Sequence, residues 1–265
     1  MRSEICIPSL KQVKMFKEKM DSSFGVFGPF MITADPAFVE AAGYAGYDFV
    51  LLDMEHGPGT FENLQNLIRA ANVAEVMPVV RVPRGTDIWI DQALDVGAGG
   101  VMIPQIDTAE QARIAVTAAK FSPRGNRGTC RFVRSAGYGA IPGKRYFEDA
   151  QDTIVILQLE GKKAIENLDE ILEVEGIDIV FVGPYDLSSS LGIIGQIDHP
   201  IVMEAIQNIC KRASKKNKTV GCFADTAESA ANLRKIGVKF LGYSCDTAIF
   251  LDAAKRDIEK YNNSL

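Results

Sequence analysis

Eight short apolar segments, separated by longer stretches, constrain the fold of this 265-residue chain more than any other feature. Several of them are apolar at nearly every position, which is typical of parallel strands that are covered on both faces. The predicted strands are Gly25–Ile32, Phe49–Asp53, Pro78–Val82, Gly100–Pro104, Thr153–Leu159, Ile179–Val182, Thr219–Cys222 and Phe240–Tyr243.

The stretches around these strands carry apolar residues at helical spacing. The predicted helices are Leu10–Met20, Phe61–Ala74, Ile88–Val96, Ala109–Ala119, Ala164–Leu172, Pro200–Lys215, Ala227–Ile236 and Thr247–Tyr261. Eight strands that alternate with helices predict an α/β fold, a (β/α)8 TIM barrel with an extra N-terminal helix and a long C-terminal helix. A barrel of this kind commonly takes about 250 residues, so we expect one domain over residues 1–265.

A doubly wound sheet is the alternative architecture. Against it, no G-x-G-x-x-G motif opens a helix after a strand, and Gly97-Ala98-Gly99-Gly100 precedes a strand instead. No G-x-x-x-x-G-K-[ST] motif occurs either. We therefore expect neither a nucleotide nor a pyridoxal phosphate cofactor. The longest irregular region is predicted at 122–151, and a loop of that length is usually functional.

Charge and cysteine content exclude several classes of function. The net charge is -5 and no run of five or six Lys or Arg occurs, so we expect no nucleic-acid partner. No stretch reaches the roughly 18 apolar residues of a membrane span, and the start does not resemble a signal peptide. The five cysteines are scattered without a C-x-x-C pair, which favours reduced thiols and a cytoplasmic location.

Ionisable residues collect where the predicted strands end. Asp53, Glu55 and His56 follow an apolar run, and active sites of such barrels lie at the C-terminal ends of the strands. Other strands end at Arg81, Glu160 and the segment 183–186. Purely structural roles remain open at this point. Asp53 could accept hydrogen bonds in a turn, Glu160 and Arg81 could form ordinary ion pairs, and Asp186 could be a helix N-cap. We nevertheless expect these side chains to meet at one rim, where Glu160 and Asp186 could share a cation.

In these residues the chain resembles the HpcH/HpaI aldolases, which are metal-dependent (class II) pyruvate aldolases of the 4-hydroxy-2-oxoheptanedioate (2,4-dihydroxyhept-2-ene-1,7-dioate) aldolase type. The resemblance covers nearly the whole chain. It rests on Asp53-Met54-Glu55-His56, Pro78-Val79-Val80-Arg81-Val82-Pro83, Leu94-Asp95-Val96-Gly97, Pro123-Arg124-Gly125-Asn126-Arg127-Gly128, Gln158-Leu159-Glu160, Gly183-Pro184-Tyr185-Asp186-Leu187-Ser188 and His199-Pro200. The chain departs from the family pattern at Gly161, at Tyr243-Ser244-Cys245-Asp246 and in Thr129–Tyr138, which bears on substrate preference more than on reaction type.

The resemblance implies the cleavage or formation of 4-hydroxy-2-oxo acids from pyruvate and an aldehyde, with a pyruvate enolate stabilised by a divalent metal. Mg²⁺ or Mn²⁺ is the implied metal, with Co²⁺ as an alternative, because two carboxylates suit hard cations that keep open positions. The resemblance implies Glu160 and Asp186 as the metal ligands. It implies His56 as the general base, Asp95 as the carboxylate that orients His56, and Arg81 as the residue that binds the substrate anion. The implied substrate-binding residues are Gln158, Gly183, Pro184 and Tyr185, with Asp53 and Glu55 supporting the site from behind.

Other functions stay open at the sequence level. A Schiff-base aldolase needs a desolvated lysine at a strand end, and none is predicted there. An acyl-CoA lyase or a phosphoenolpyruvate-type enzyme of the same superfamily is an alternative. A CoA substrate would need basic residues at the rim to bind its phosphates, and the arginines of Arg124–Arg134 are candidates. A non-catalytic metal-binding barrel is the third alternative. Relatives exchange the last helix between subunits, so the resemblance also implies a homo-oligomer, a hexamer built as a trimer of dimers.

Overall fold

The computed structural model describes residues 8–84 and 87–264, with side chains from residue 12 onward, and its eight parallel strands form a closed barrel. The strands are β1 (Val26–Met31), β2 (Phe49–Asp53), β3 (Met77–Arg81), β4 (Gly100–Ile103), β5 (Ile154–Leu159), β6 (Ile179–Val182), β7 (Thr219–Ala224) and β8 (Phe240–Cys245). Each strand pairs with its sequence neighbours, and β8 pairs with β1. The predicted TIM barrel is confirmed, and every predicted strand end lies within two residues of the observed one.

Twelve α-helices are present in the described part of the chain. They are α1 (Pro8–Asp21), α2 (Pro36–Tyr44), α3 (Phe61–Val73), α4 (Asp87–Asp95), α5 (Ala109–Ala119), α6 (Gly143–Asp149), α7 (Lys162–Glu166), α8 (Leu168–Leu172), α9 (Pro184–Ser190), α10 (Pro200–Ser214), α11 (Ala227–Lys235) and α12 (Asp246–Asn262). None of them is long and apolar enough to cross a membrane.

The sequence analysis missed α2, α6 and α9 and drew α7 and α8 as one helix. The signal for α2 is local: Asp35 caps the helix by accepting a hydrogen bond from the backbone N–H of Ala37 at 2.9 Å, and Pro36 occupies the first turn. Asn167 separates α7 from α8, and its side chain donates to the carbonyl of Asp107 at 2.8 Å instead of facing solvent.

Strand parity divides the core into two layers. In β2, Phe49 and Leu51 pack inside the barrel, whereas Val50 and Leu52 pack against the surrounding helices. The N-terminal helix covers the amino ends of the strands, because Phe16 packs edge-on against Phe49 and Phe240 at ring distances of 6.1 and 6.2 Å. The barrel is therefore closed at its base and open at the carboxyl ends of the strands.

Asp246 joins the last strand to the first at that open end. Its carboxylate accepts hydrogen bonds from the backbone N–H groups of Ile32 at 3.2 Å and Thr33 at 3.0 Å, and from the Thr33 hydroxyl at 2.5 Å. The side chain is buried, and such charge-assisted bonds are stronger than neutral ones. Asp246 thus holds the rim in place at the seam where Cys245 faces the barrel mouth.

The region 122–151 is not the unstructured loop that the sequence predicts. It contains α6 and two 3-10 helices, Arg134–Gly139 and Ala150–Asp152, and it packs around a small core that includes Phe121 and Tyr146. Because it connects the end of α5 to the start of β5, it lies at the amino end of the strands. Within one chain it is therefore on the opposite side of the barrel from the predicted site.

The cysteines behave as the sequence predicts where they are described. Cys130, Cys210, Cys222 and Cys245 are free thiols, and Cys6 lies outside the described residues. Burial raises the pKa of the Cys210 thiol to about 11, so this group remains protonated near neutral pH.

Candidate active site

The inward-facing parity of β2 and β3 places Asp53 and Arg81 at the barrel mouth. The two residues are register partners and follow the inward-facing Leu51 and Val79 in their strands. Arg81 donates from Nε to Oδ1 of Asp53 at 2.9 Å and from Nη2 to Oδ2 at 2.5 Å. Both residues are buried, so this bidentate pair is a rigid part of the site.

Asp53 and Glu55 together surround the guanidinium. Asp53 also accepts hydrogen bonds from the backbone N–H groups of Glu55 at 3.0 Å and His56 at 3.3 Å, so it shapes the turn after β2. Nη1 of Arg81 lies 3.2 Å from Oε2 of Glu55. Desolvation raises the pKa of Glu55, and the positive charge of Arg81 opposes that rise. One cation therefore faces two carboxylates here.

Glu160 and Asp186 converge above Gly183. A methyl group built on Gly183 would lie 3.4 Å from Oδ2 of Asp186, 3.5 Å from Cγ of Glu160 and 3.7 Å from Nε2 of Gln158. Glu160 follows β5, while Asp186 lies in the first turn of α9, whose N-cap is Gly183 and not Asp186. The side chains of Asp186, Glu160 and Gln158 thus surround the position that a side chain on Gly183 would take.

Gln158 is buried beneath this space. Its Nε2 donates to Oε1 of Glu160, and its own Oε1 has no hydrogen-bond partner although the residue is only 3% exposed. A buried polar atom without a partner is costly and commonly marks a ligand or water position. Among residues 8–84 and 87–264, no cluster of three or more His, Cys, Asp or Glu side chains is arranged to hold a metal ion.

The proximity of the carboxylates changes the proton affinity of Glu160. Removal from water raises its pKa to about 7, the charges of Asp186 and Glu55 add to the rise, and Arg81 and Gln158 oppose it. A carboxyl group so perturbed, at the mouth of a barrel, indicates a functional site. Burial and the acidic neighbours therefore place the charged form of Glu160 under electrostatic strain at neutral pH.

This strain predicts a pH-dependent gain in stability for Glu160→Gln. The folded-state pKa of Glu160 lies above its unfolded value, so the folded protein holds the extra proton and loses stability as pH rises from about 4.5 through about 7. With chelator present, the amide variant should match the wild type at pH 5 and exceed it by about 1–2 kcal/mol at pH 8, after allowance for solvent screening. Urea unfolding at both pH values measures the difference, and an equal gap at the two pH values would contradict the assignment.

His56 and Asp95 are not brought together within the chain. The His56 side chain is 73% exposed at the mouth, with Nε2 4.0 Å from Oε2 of Glu55. Asp95 ends α4, close to the start of β4, and accepts a hydrogen bond from Nη2 of Arg127 at 2.7 Å. Because α4 runs antiparallel to the strands, Asp95 lies at the other end of the barrel. The predicted pairing of these two residues therefore requires a second copy of the chain.

A cavity of about 290 Å³ opens between the polar residues and a set of aromatic rings. Its lining includes the predicted site residues Asp53, His56, Arg81, Gln158, Gly183, Pro184, Tyr185 and Asp186. The sequence analysis missed Phe30, Ile32, Phe181 and Phe223, which also line it. Cys245, noted there as a departure from the family pattern, lines it as well. Strand parity was the available signal: Phe181 is the register partner of Gln158 and faces inward with it.

Tyr185 connects the loops after β6 and β7. Its hydroxyl donates to Oδ2 of Asp225 at 2.6 Å, and its ring lies 6.2 Å from that of Phe223. Desolvation and the bond to Asp225 raise the pKa of the Tyr185 phenol to about 12, so it stays protonated. The predicted substrate-binding residue thus presents its ring to the cavity and commits its hydroxyl to a neighbouring loop.

Comparisons with known proteins show the family and the fold. The sequence model of the family described as HpcH/HpaI aldolase/citrate lyase matches residues 27–253. The 2-keto-3-deoxy-L-rhamnonate aldolase of Escherichia coli is 36% identical over 250 residues, covering 94% of this chain and 93% of that protein. The hydroxypyruvate/pyruvate aldolase of Roseobacter denitrificans is also 36% identical, over 93% of this chain and 96% of its own. A solved structure of an HpcH/HpaI aldolase/citrate lyase family protein from Burkholderia cenocepacia superposes with a TM-score of 0.88 at 30% identity, covering 94% of this chain and 99% of the other.

Proposed function

Because this chain belongs to the HpcH/HpaI aldolase/citrate lyase family and is a carbon–carbon lyase, we propose that it is a divalent-metal-dependent aldolase acting on 4-hydroxy-2-oxo acids. The products of cleavage are pyruvate and an aldehyde, and the reverse reaction joins them. The convergence of Glu160, Asp186 and Gln158 over the vacant side of Gly183 is the observation that carries this proposal.

The residues present fit a hard divalent cation. The Glu160 and Asp186 carboxylates lie close together, and the buried Oε1 of Gln158 lacks a partner. Among the described residues, no cationic side chain forms an ion pair with either carboxylate, although the positive charge of Arg81 lowers the pKa of Glu160. We assign Glu160 and Asp186 as the ligands of Mg²⁺ or Mn²⁺, with Co²⁺ as an alternative, because such ions accept two carboxylates and keep positions for water and substrate. A bound cation would supply Lewis-acid polarisation of the 2-oxo group.

Arg81 binds the carboxylate of the 2-oxo acid or the negative oxygen of the pyruvate enolate. Three of its five N–H groups point to Asp53 and Glu55, which leaves donors on Nη1 and Nη2 for a substrate. Asp53 and Glu55 hold the guanidinium in place before substrate arrives, and preorganised charge of this kind often contributes more to catalysis than any other effect. Gln158, Gly183 and Pro184 contact the bound acid from the opposite wall.

His56 acts as the general base. In cleavage it takes the proton of the 4-hydroxyl, the bond between C3 and C4 breaks, the electron pair passes to the pyruvate fragment and the aldehyde leaves. A neutral imidazole nitrogen can accept this proton, which suits His56 to the role. We propose that Asp95 orients His56 across a subunit contact in a homo-oligomer, for which the resemblance implies a hexamer. We also propose a cytoplasmic location, which the cysteine pattern favours. The exposed apolar Phe250, Leu251 and Ile258 of α12 support such an assembly.

Within one chain, the basic segment Arg124–Arg134 does not favour the acyl-CoA alternative. It belongs to the region at the amino ends of the strands, so within one chain it cannot bind phosphates beside the cavity. Lys120 has its pKa lowered to about 8 by burial, yet it donates to the carbonyls of Gln151 and Thr153 at that same end. Neither observation supports a second function.

Metal removal and chemical trapping test the mechanism. EDTA should abolish aldol turnover of pyruvate with aldehydes, Mg²⁺ or Mn²⁺ should restore it, and borohydride with pyruvate should leave the protein mass unchanged. Mass spectrometry of product and protein gives both readouts. Full activity in chelator, or a covalent pyruvate adduct, would show a Schiff-base enzyme instead. No lysine is among the described residues that line the cavity, in agreement with the metal mechanism.

A further inference from the structure

A β-bulge at the end of β8 turns the thiol of Cys245 into the barrel mouth. Side chains alternate along a regular strand, so Cys245 would point outward with Tyr243, whose ring packs on the outside of the barrel. The pairing of β8 with β1 shifts between Pro29 and Phe30, and Ser244, with a φ of 45°, is the extra residue. Cys245 therefore pairs with the inward-facing Phe30 and lines the cavity. Bulges beside active sites commonly re-aim a side chain in this way.

The backbone next to Cys245 is fixed, and its thiol is free. Asp246 accepts hydrogen bonds from the backbone N–H groups of Ile32 and Thr33, which ties the end of β8 to the loop after β1. Cys245 forms no disulfide, and its Sγ lies 3.4 Å from Oγ1 of Thr247. A free thiol reacts through its thiolate, which is intrinsically a strong nucleophile. The cavity thus contains a positioned nucleophile where the sequence departs from the family pattern.

Two groups in the same cavity are placed to hold an acid beside this thiol. The guanidinium of Arg81 lies over the ring of Phe30, 5.1 Å from its centroid, and Phe30 is the register partner of Cys245. Gln158 is 3% exposed, lines the cavity and has a buried Oε1 without a hydrogen-bond partner, which marks a ligand or water position. Neighbouring strands lie about 4.8 Å apart, and C4 of a 2-oxo acid lies about 4 Å from its carboxylate carbon. An acid anchored at Arg81 therefore extends its C3–C4 unit along Phe30 toward Cys245.

We propose that Cys245 is a covalent modification site for 2-oxo-3-enoic acids, the unsaturated acids that form when a 4-hydroxy-2-oxo acid loses water. This inference rests on the proposed aldolase function, which brings 2-oxo acids of this kind into the cavity. It adds a site at which a product derived from the substrate inactivates the enzyme.

The reaction is a conjugate addition. The thiol proton passes to solvent, the thiolate attacks C4, and the bond between Sγ and C4 forms. The π bond between C3 and C4 breaks, and its electron pair moves through C3 to the 2-oxo group as an enolate. Water returns a proton to C3, so the net change adds the thiol across the double bond and needs no oxidant. The adduct occupies the substrate position beside Arg81, which blocks turnover.

Incubation of the wild-type protein with Mg²⁺ and 2-oxopent-3-enoate tests the proposal. Intact mass and peptide mapping should show one added molecule of the acid on Cys245, with loss of aldol turnover at the same rate. Pyruvate at about ten times its dissociation constant should slow both about tenfold, because it occupies the same position. An adduct on His56 instead, or labelling of Cys245 that pyruvate does not slow, would overturn the proposal.

A matched electrophile tests the role of the acid group. Pent-3-en-2-one carries a methyl group where 2-oxopent-3-enoate has its carboxylate, so it lacks the group that binds Arg81. Each rate of labelling is divided by the rate of the same compound with free cysteine, which removes the difference in intrinsic reactivity. The acid should then label Cys245 at least about tenfold faster. Equal normalised rates would show a reactive thiol without a binding site.

Cys245→Ser removes the nucleophile and nearly conserves its size. Followed relative to its own starting activity, this variant should be inactivated at least about tenfold more slowly than the wild type. Cys130→Ser is the matched control, because Cys130 is an exposed free thiol outside the cavity lining, and it should be inactivated as the wild type is. Circular dichroism checks folding, and Cys245→Ala replaces the serine variant if the latter does not fold. Inactivation of a folded Cys245 variant at the wild-type rate would refute the site.

Labelling and aldol turnover are measured separately, so the two proposals can fail separately. Turnover of 4-hydroxy-2-oxo acids with Cys245 unmodified would retain the aldolase and overturn the modification site. Labelling of Cys245 that pyruvate slows, in a protein without turnover, would retain the modification site and overturn the aldolase. Neither turnover nor labelling would overturn both.

Discussion

Glu160→Gln should lower kcat/KM for aldol turnover by about 10³-fold, since it removes one of two carboxylates assigned to the metal while conserving shape. The amide can still accept the hydrogen bond from Gln158, so the fold is expected to survive. In the metal-free state the same variant should be the more stable protein at pH 8, because it removes a repelled carboxylate. Loss of activity with gain of stability is the signature of a functional site.

Steady-state kinetics with saturating Mg²⁺ or Mn²⁺ measure the effect, and calorimetric titration of the cation measures binding. Glu166→Gln is the matched control: its carboxylate lies 3.8 Å from Nζ of Lys162 on the solvent face of α7, and both side chains are largely exposed. That control should retain wild-type kinetics. A Glu160→Gln enzyme within about fivefold of wild type would remove Glu160 from the metal site.

Arg81→Met should lower the free energy of unfolding by about 3–5 kcal/mol, because it leaves buried Asp53 without its cation. The Asp53 side chain is 1% exposed and loses two charge-assisted hydrogen bonds in this variant. The change should also abolish turnover, since Arg81 is the cation at the substrate position. Denaturant unfolding and kinetics report the two losses separately.

Arg113→Met provides the comparison for Arg81. Arg113 and Glu110 form an ion pair at 2.8 Å on the surface of α5, with side chains 59% and 71% exposed. Exposed pairs of this kind contribute about 0–1 kcal/mol, so the control should unfold almost as the wild type does. The double variant Asp53→Asn with Arg81→Met should recover part of the lost stability but no activity. Similar unfolding free energies for Arg81→Met and Arg113→Met would show that the buried pair does not stabilise the mouth.

Much of the barrel could be predicted from the sequence because strand and helix periodicity are local properties. The eight apolar runs predicted the strands, and the strand ends pointed to Asp53, Arg81 and Gln158, which the structure places in the cavity lining. Cap signals were available but unused at Asp35-Pro36, which starts α2. The helices inside 122–151 could not be predicted because their small core is formed by residues without helical spacing, such as Phe121 and Tyr146.

The sequence by itself determined the α/β barrel and the family, since both follow from the order and spacing of residues along the chain. It also determined which ionisable groups stand at strand ends. Only the tertiary structure decided that Glu160 and Asp186 converge at Gly183, that aromatic rings line the cavity, and that Asp95 lies at the far end of the barrel. Those features depend on register, parity and helix direction, which bring together residues from distant parts of the chain and hold others apart.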